Sequence, residues 1–185
     1  MSRKLVLAAL LCASPAFAEG EPDGPGPNLV IQVAGQANGT IVIDMLPDRA
    51  PKHVAQMTAL ATAGAYDNVV FHRVIDGFMA QTGDVQYGKA GTDLSMAGAG
   101  GSDMPNLPAE FSDVSFQRGI VGMARAQDPD SANSQFFIMF APGDFLDGQY
   151  TVVGHVVAGM DVVDQIAKGE PPATPDVMVK VTVQP

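Results

Sequence analysis

The chain has 185 residues, with 20 acidic against 10 basic side chains and a formal net charge of −10. That balance argues against nucleic acid or anionic lipid surfaces as partners, because both select lysine and arginine. No internal repeat or composition shift marks a second folded domain, and the length suits one domain with a substantial core.

Residues 1–18 read as a secretory signal peptide rather than part of the fold: Arg3 and Lys4 make a basic start, Leu5 to Ala13 an apolar run, and Ala16-Phe17-Ala18 a small-x-small site. The apolar run is too short for the roughly 18 residues of a membrane span. Leu11 stands before Cys12 where a lipoprotein signal wants a small residue. Cleavage after Ala18 is expected, with export to the periplasm. It removes Arg3, Lys4 and Cys12, the only cysteine, leaving 167 residues with 8 basic and 20 acidic side chains, net −12. The mature chain then has neither disulfide nor thiol. Residues 19–28, acidic and rich in Gly and Pro, read as a disordered tether. Residues 29–185 form the domain.

Leu29 to Val33 and Gly39 to Leu46 are β-like, joined through a loop that includes Asn38-Gly39. A helix follows: Pro51 suits its first turn, Val54, Met57, Leu60 and Ala61 recur on one face, and Gly64 stops it.

Phe71-His72-Arg73-Val74-Ile75-Asp76-Gly77-Phe78-Met79-Ala80-Gln81-Thr82-Gly83-Asp84 is two short apolar runs broken by Asp76-Gly77, the pattern of a β-hairpin. Arg73 and Gln81 stand among its apolar residues. They are either satisfied structural groups or the polar part of a mostly apolar pocket. A plain two-residue turn puts them on opposite faces; a bulge or an odd-numbered loop puts them on one face.

Asp84 to Pro108 is long, irregular and Gly-rich, which in a compact domain marks a functional or mobile segment. It lacks the G-x-G-x-x-G spacing of a phosphate loop. Gly119 to Arg125 reads as a strand, followed by a polar loop and then Asn133-Ser134-Gln135-Phe136-Phe137-Ile138. The loop Gln127-Asp128-Pro129-Asp130-Ser131 lacks the spaced acids, glycine and closing glutamate of a calcium loop, so a solvated turn is favoured. Phe145-Leu146-Asp147-Gly148 precedes a strand through Gly154. Met160 to Ala167 reads as a short helix, and Val177 to Val183 as a closing strand with strict alternation. None of His53, His72 and His155 has metal-ligand spacing, and no G-x-S-x-G elbow is present, so neither metal nor cofactor is expected. His72 reads as a strand residue with a satisfied ring.

Three blocks in order, Phe71 to Gln81 (F-H-R-V-I-x-G-F-M-x-Q), Gly119 to Ile138 and Phe145 to Gly154, resemble the cyclophilin family of peptidyl-prolyl cis-trans isomerases over nearly the whole mature chain. Many short strands and two helices already suggest a closed antiparallel barrel with helical caps. The resemblance supplies the count of eight strands. It implies that Arg73 and Gln81 share one face of an open groove. Phe78, Met79, Phe137 and Leu146 would pocket the proline ring, with Gln81 and Gln135 holding Arg73 and the substrate carbonyl. Ala124 and Arg125 would bind the flanking peptide, Arg125 mainly through its backbone. The implied partners are proline-containing polypeptides met by a monomer, with a non-catalytic peptide-binding module on the same fold as the alternative. Phe145 stands where the commonest animal pattern has tryptophan and Tyr150 where it has histidine, in both respects like exported bacterial members. Asp76 and Thr82 replace a usual proline and glycine at what read as turn positions.

Prolyl isomerisation breaks no bond and needs no acid/base pair. Its barrier is rotation about a partial double bond, about 18–20 kcal/mol. In the twisted state the prolyl nitrogen becomes pyramidal and can accept a hydrogen bond that the planar amide cannot. A permanently charged guanidinium aimed there would bind the transition state better than either planar form, and Arg73 is the candidate.

Overall fold

The computed structural model describes residues 23–185. The expected signal peptide, 1–18, and residues 19–22 of the expected tether lie outside the described residues. The rest of the tether is not free of the fold. Gly24 N donates to the Asp44 carboxylate at 2.9 Å, Met45 N donates to Pro27 O at 3.1 Å, and Gly26 is buried. A Cβ on Gly26 would collide with Met45 O, so only glycine lets the chain pass there.

Strands β1 (Asn28–Ala34) and β2 (Gly39–Met45) pair antiparallel, and helix α1 (Pro51–Thr62) follows. The apolar stripe of α1 faces inward as its spacing requires: Val54, Met57, Leu60 and Ala61 are buried. Its N-cap residue, Ala50, makes no side-chain cap. Instead Glu110, 57 residues away from His53, accepts the Lys52 and His53 amides and lies 2.7 Å from His53 Nδ1. The orphan donors of the first turn are thus met by a carboxylate that also suits the positive end of the helix dipole.

Next come β3 (Val69–Val70), β4 (Arg73–Ile75), β5 (Met79–Thr82), β6 (Ile120–Met123), β7 (Phe136–Met139), β8 (Val152–Ala158), α2 (Met160–Gln165) and β9 (Val177–Gln184). All nine strands lie in one antiparallel sheet of order β3-β9-β1-β2-β8-β6-β7-β5-β4. The fold is mainly β with two helices, as expected, but the expected closed barrel of eight strands is instead an open, curled sheet of nine. Its edge strands β3 and β4 are separated only by Phe71 and His72, yet no ladder joins them. Other backbone takes the free edges that closure would need: Val74 of β4 exchanges two hydrogen bonds with Gly169, and Val70 of β3 donates to Gly88 O beside a bridge between Val69 and Lys89.

The strict alternation read into β9 also fails at one point. Gln32 faces Lys180 while Val33 faces Met178, so Val179 is an unpaired bulge residue and is exposed, whereas Met178 and Val181 are buried. The main core lies between the inner face of the sheet and the helices. A second cluster, Met79, Phe116, Phe137, Met139, Leu146 and Val152, sits under the surface where the signature hairpin meets β7.

Candidate active site

The hairpin resolves the pleat question. Arg73 pairs with Gln81, Val74 with Ala80 and Ile75 with Met79, so the loop is the three residues Asp76, Gly77 and Phe78. Gly77 takes a left-handed φ of 69°, which suits glycine in such a turn. An odd-numbered loop makes Arg73 and Gln81 direct cross-strand neighbours on one face. Thr82, however, is no turn residue: it ends β5, is fully buried, and donates to Val70 O at 2.9 Å.

β5 pairs with β7, placing Gln81 opposite Phe137 and Met79 opposite Met139. Around this junction is an open depression of about 260 Å³, lined by Arg73, Phe78, Met79, Gln81, Ala124, Arg125, Phe137, Phe145, Leu146 and Tyr150. Every residue singled out from the sequence is there except Gln135. Met79, Phe137 and Leu146 are buried and make the floor. Phe145 is 65% exposed and stands as a wall, its ring 5.6 Å from that of Phe78. Phe137 stacks on Phe116 at 5.7 Å and meets the edge of Tyr150 at 5.9 Å, which fixes the floor from below and from the side.

Gln135 lies one step away, in an adjoining cleft of about 490 Å³ that shares Gln81, Ala124 and Arg125 with the first. Its amide links the two. Gln135 Nε2 donates to Gly98 O and Gly100 O at 3.0 and 2.8 Å. Its Oε1 must then face Gln81, whose Nε2 donates to it at 2.9 Å, and Gln81 Oε1 in turn accepts from Arg73 Nη1 at 3.3 Å. Two carbonyls of the Gly-rich loop therefore set the direction of both amides, and a glutamine is suited to each place because it both donates and accepts.

Asp84, which went unremarked in the sequence, holds that loop. Fully buried, it accepts the amides of Gln86 and Tyr87 on Oδ1 and those of Gly98 and Gly100 on Oδ2. Four backbone donors converging on one carboxylate explain how the stretch keeps its shape with little regular structure. His72 is neither in a strand nor satisfied. It packs beneath Gly98, and neither ring nitrogen has a hydrogen-bond partner among the described residues. Burial holds its pKa below the usual imidazole value, against the opposing pull of the Asp84 charge.

Arg125 does more with its side chain than expected. Its guanidinium donates to the carbonyls of Ala126, Gln127 and Gln149 and lies 4.5 Å from the centre of the Tyr150 ring. Asp128, in the polar loop before β7, accepts from Asp130 N at 2.9 Å and closes a short turn.

A second residue missed in the sequence is Glu170. Its Oε2 accepts from Arg73 Nε at 2.9 Å across 97 positions of chain. It lies in Lys168-Gly169-Glu170-Pro171-Pro172, a stretch without regular structure whose composition gives no hint of a site.

The site is an open apolar depression with Arg73, Arg125 and Gln81 on its rim and the amide of Gln135 linked to that of Gln81. Residues 29–183 match the model of the cyclophilin type peptidyl-prolyl cis-trans isomerases. A probable peptidyl-prolyl cis-trans isomerase of Brucella suis is 56% identical over 154 residues, 80% of this chain and 79% of that one. A cyclophilin from Hirschia baltica has the same fold at a TM-score of 0.71 with 26% identity, covering 84% of this chain and 73% of its own. A Cryptosporidium parvum cyclophilin, at 24% identity and a TM-score of 0.72, shares the fold over 85% of this chain. The chain belongs to the cyclophilin-type peptidyl-prolyl cis-trans isomerases and is an enzyme of that class. Among the described residues no helix is long and apolar enough to cross a membrane.

Proposed function

We propose that the enzyme accelerates X-Pro rotation in exported polypeptides, with Arg73 donating to the prolyl nitrogen as it becomes pyramidal. The observation that carries the reading is the place of Arg73, its guanidinium held by Gln81 at the edge of an apolar depression sized for a small ring. The proline ring rests on Met79, Phe137 and Leu146 against Phe78 and Phe145. Gln81 and Gln135 orient Arg73 and the substrate carbonyl, and Ala124, Arg125 and Tyr150 line the path of the flanking peptide. Holding the ring while the preceding residue turns confines motion to one bond. The guanidinium stabilises only the twisted state, so its effect falls on turnover.

In a protease-coupled assay on a proline tetrapeptide, Arg73→Ala should fold normally and lose at least ~100-fold in kcat/KM, about 2.7 kcal/mol of transition-state stabilisation. Near-wild-type turnover in a variant with unchanged circular dichroism would overturn the mechanism. It would also leave the non-catalytic peptide-binding reading to be tested by affinity.

The setting proposed is the periplasm of a Gram-negative cell, on the strength of the signal pattern and the loss of Cys12 with it. Mass spectrometry of the periplasmic fraction should find Glu19 at the mature N-terminus. A retained Met1, or lipid on Cys12, would refute it.

A further inference from the structure

Arg73 is gripped from two sides. Gln81 takes Nη1 at 3.3 Å, and on the other side Glu170 Oε2 takes Nε at 2.9 Å. The second contact is the shorter, is charge-assisted, and comes from a part of the chain outside the hairpin. An arginine carries its planar guanidinium on a stem of several rotatable bonds. One fixed contact still lets the guanidinium plane swing, whereas contacts at Nε and Nη1 together set both its position and its plane.

Glu170 is itself well placed for this. Its neighbour Gly169 is tied to Val74 by two backbone hydrogen bonds of 2.8 and 2.9 Å, and Val74 directly follows Arg73. The carboxylate is therefore carried by a loop that docks on the edge strand bearing the guanidinium it meets. Nη2 makes no hydrogen bond among the described residues and is left to point elsewhere.

We infer that Glu170 is a positioning residue for catalysis, orienting the Arg73 guanidinium so that its remaining donors address the twisted prolyl nitrogen. The inference rests on the proposed role of Arg73. It assigns Glu170 no contact with substrate; its effect passes through Arg73 alone. Both side chains are partly exposed, 41% for Arg73 and 53% for Glu170, so the pair adds little to stability and its consequence lies in orientation.

The test is a double-mutant cycle of Glu170→Ala and Arg73→Ala with a conservative third variant, Glu170→Gln, which keeps an acceptor oxygen at the same reach. Glu170→Ala should lower kcat about 5- to 10-fold with KM within about twofold and an unchanged melting temperature, and Glu170→Gln should recover most of that loss. In the Arg73→Ala background, Glu170→Ala should change nothing further, because the group it positions is gone. Wild-type kcat in Glu170→Ala, with Arg73→Ala impaired, would overturn the inference and leave the Arg73 reading standing. An equal loss in both backgrounds, or one accompanied by a lowered melting temperature, would show that Glu170 acts by holding the loop and would likewise overturn it. Full activity in Arg73→Ala would remove the mechanism beneath it, and the inference with it.

Discussion

Gly122 tests how the floor of the groove is held. It lies in β6 directly opposite Phe137 of β7, and a Cβ on it would stand 2.6 Å from both Phe116 Cε1 and Phe137 Cζ. Carbon atoms in contact prefer about 3.5–4.0 Å, so Gly122→Ala asks each ring to retreat by roughly 1 Å or more. Neither can do so freely, since both are buried and stacked on each other, and Phe137 is also wedged against Tyr150. Overpacking of this kind costs about 1–3 kcal/mol. The stiffer unfolded chain returns about 0.4–1 kcal/mol, so a net loss of roughly 1–2 kcal/mol is expected. For a chain of this size that is a drop of about 2–8 °C in Tm. Because Phe137 is part of the floor, the displacement should reach substrate: KM should rise several-fold while kcat, set by Arg73, changes less. Urea denaturation followed by circular dichroism, run beside the protease-coupled assay, measures both. A Gly122→Ala protein with wild-type Tm and wild-type kcat/KM would show that the stacked rings are not the support described here.

Acidification should weaken the fold through His72. Its folded-state pKa is lowered by burial, so below about 6.5 the unfolded chain binds the proton more readily. The stability it confers is complete above that pH and is lost as pH falls through the folded value. Urea midpoints from pH 7.5 to 5 should decline, and His72→Gln should flatten the decline; an identical slope in both proteins would refute the assignment. Cyclosporin, the inhibitor for which the family is named, should bind weakly, because Phe145 offers an exposed aromatic wall but no donor. Phe145→Trp should tighten binding by roughly 5- to 150-fold, from about 1–3 kcal/mol, with little change in kcat/KM; tight binding by the unmutated protein would refute this.

Much of the site was legible because it is local. Phe71 to Gln81 carries its own turn, its own cross-strand pairs and four of the ten residues that line the depression within 11 positions, and short-range pairing is what a sequence pattern records. The inward stripe of α1 and the glycine after it were readable for the same reason: Val54, Met57, Leu60 and Ala61 follow the helical period, and Gly64 adopts the positive φ that ends it. What tertiary structure alone decided is long-range. The face shared by Arg73 and Gln81 depended on a loop length that pleat counting left open. The sheet stays open because Gly169 occupies the free edge of β4 and Gly88 and Lys89 that of β3, a choice made by backbone groups that every residue carries alike. Asp84, Glu110 and Glu170 look in the sequence like three more members of a large acidic set. Only the folded chain distinguishes them, by aiming four loop amides at the first, a helix terminus at the second, and the guanidinium of Arg73 at the third.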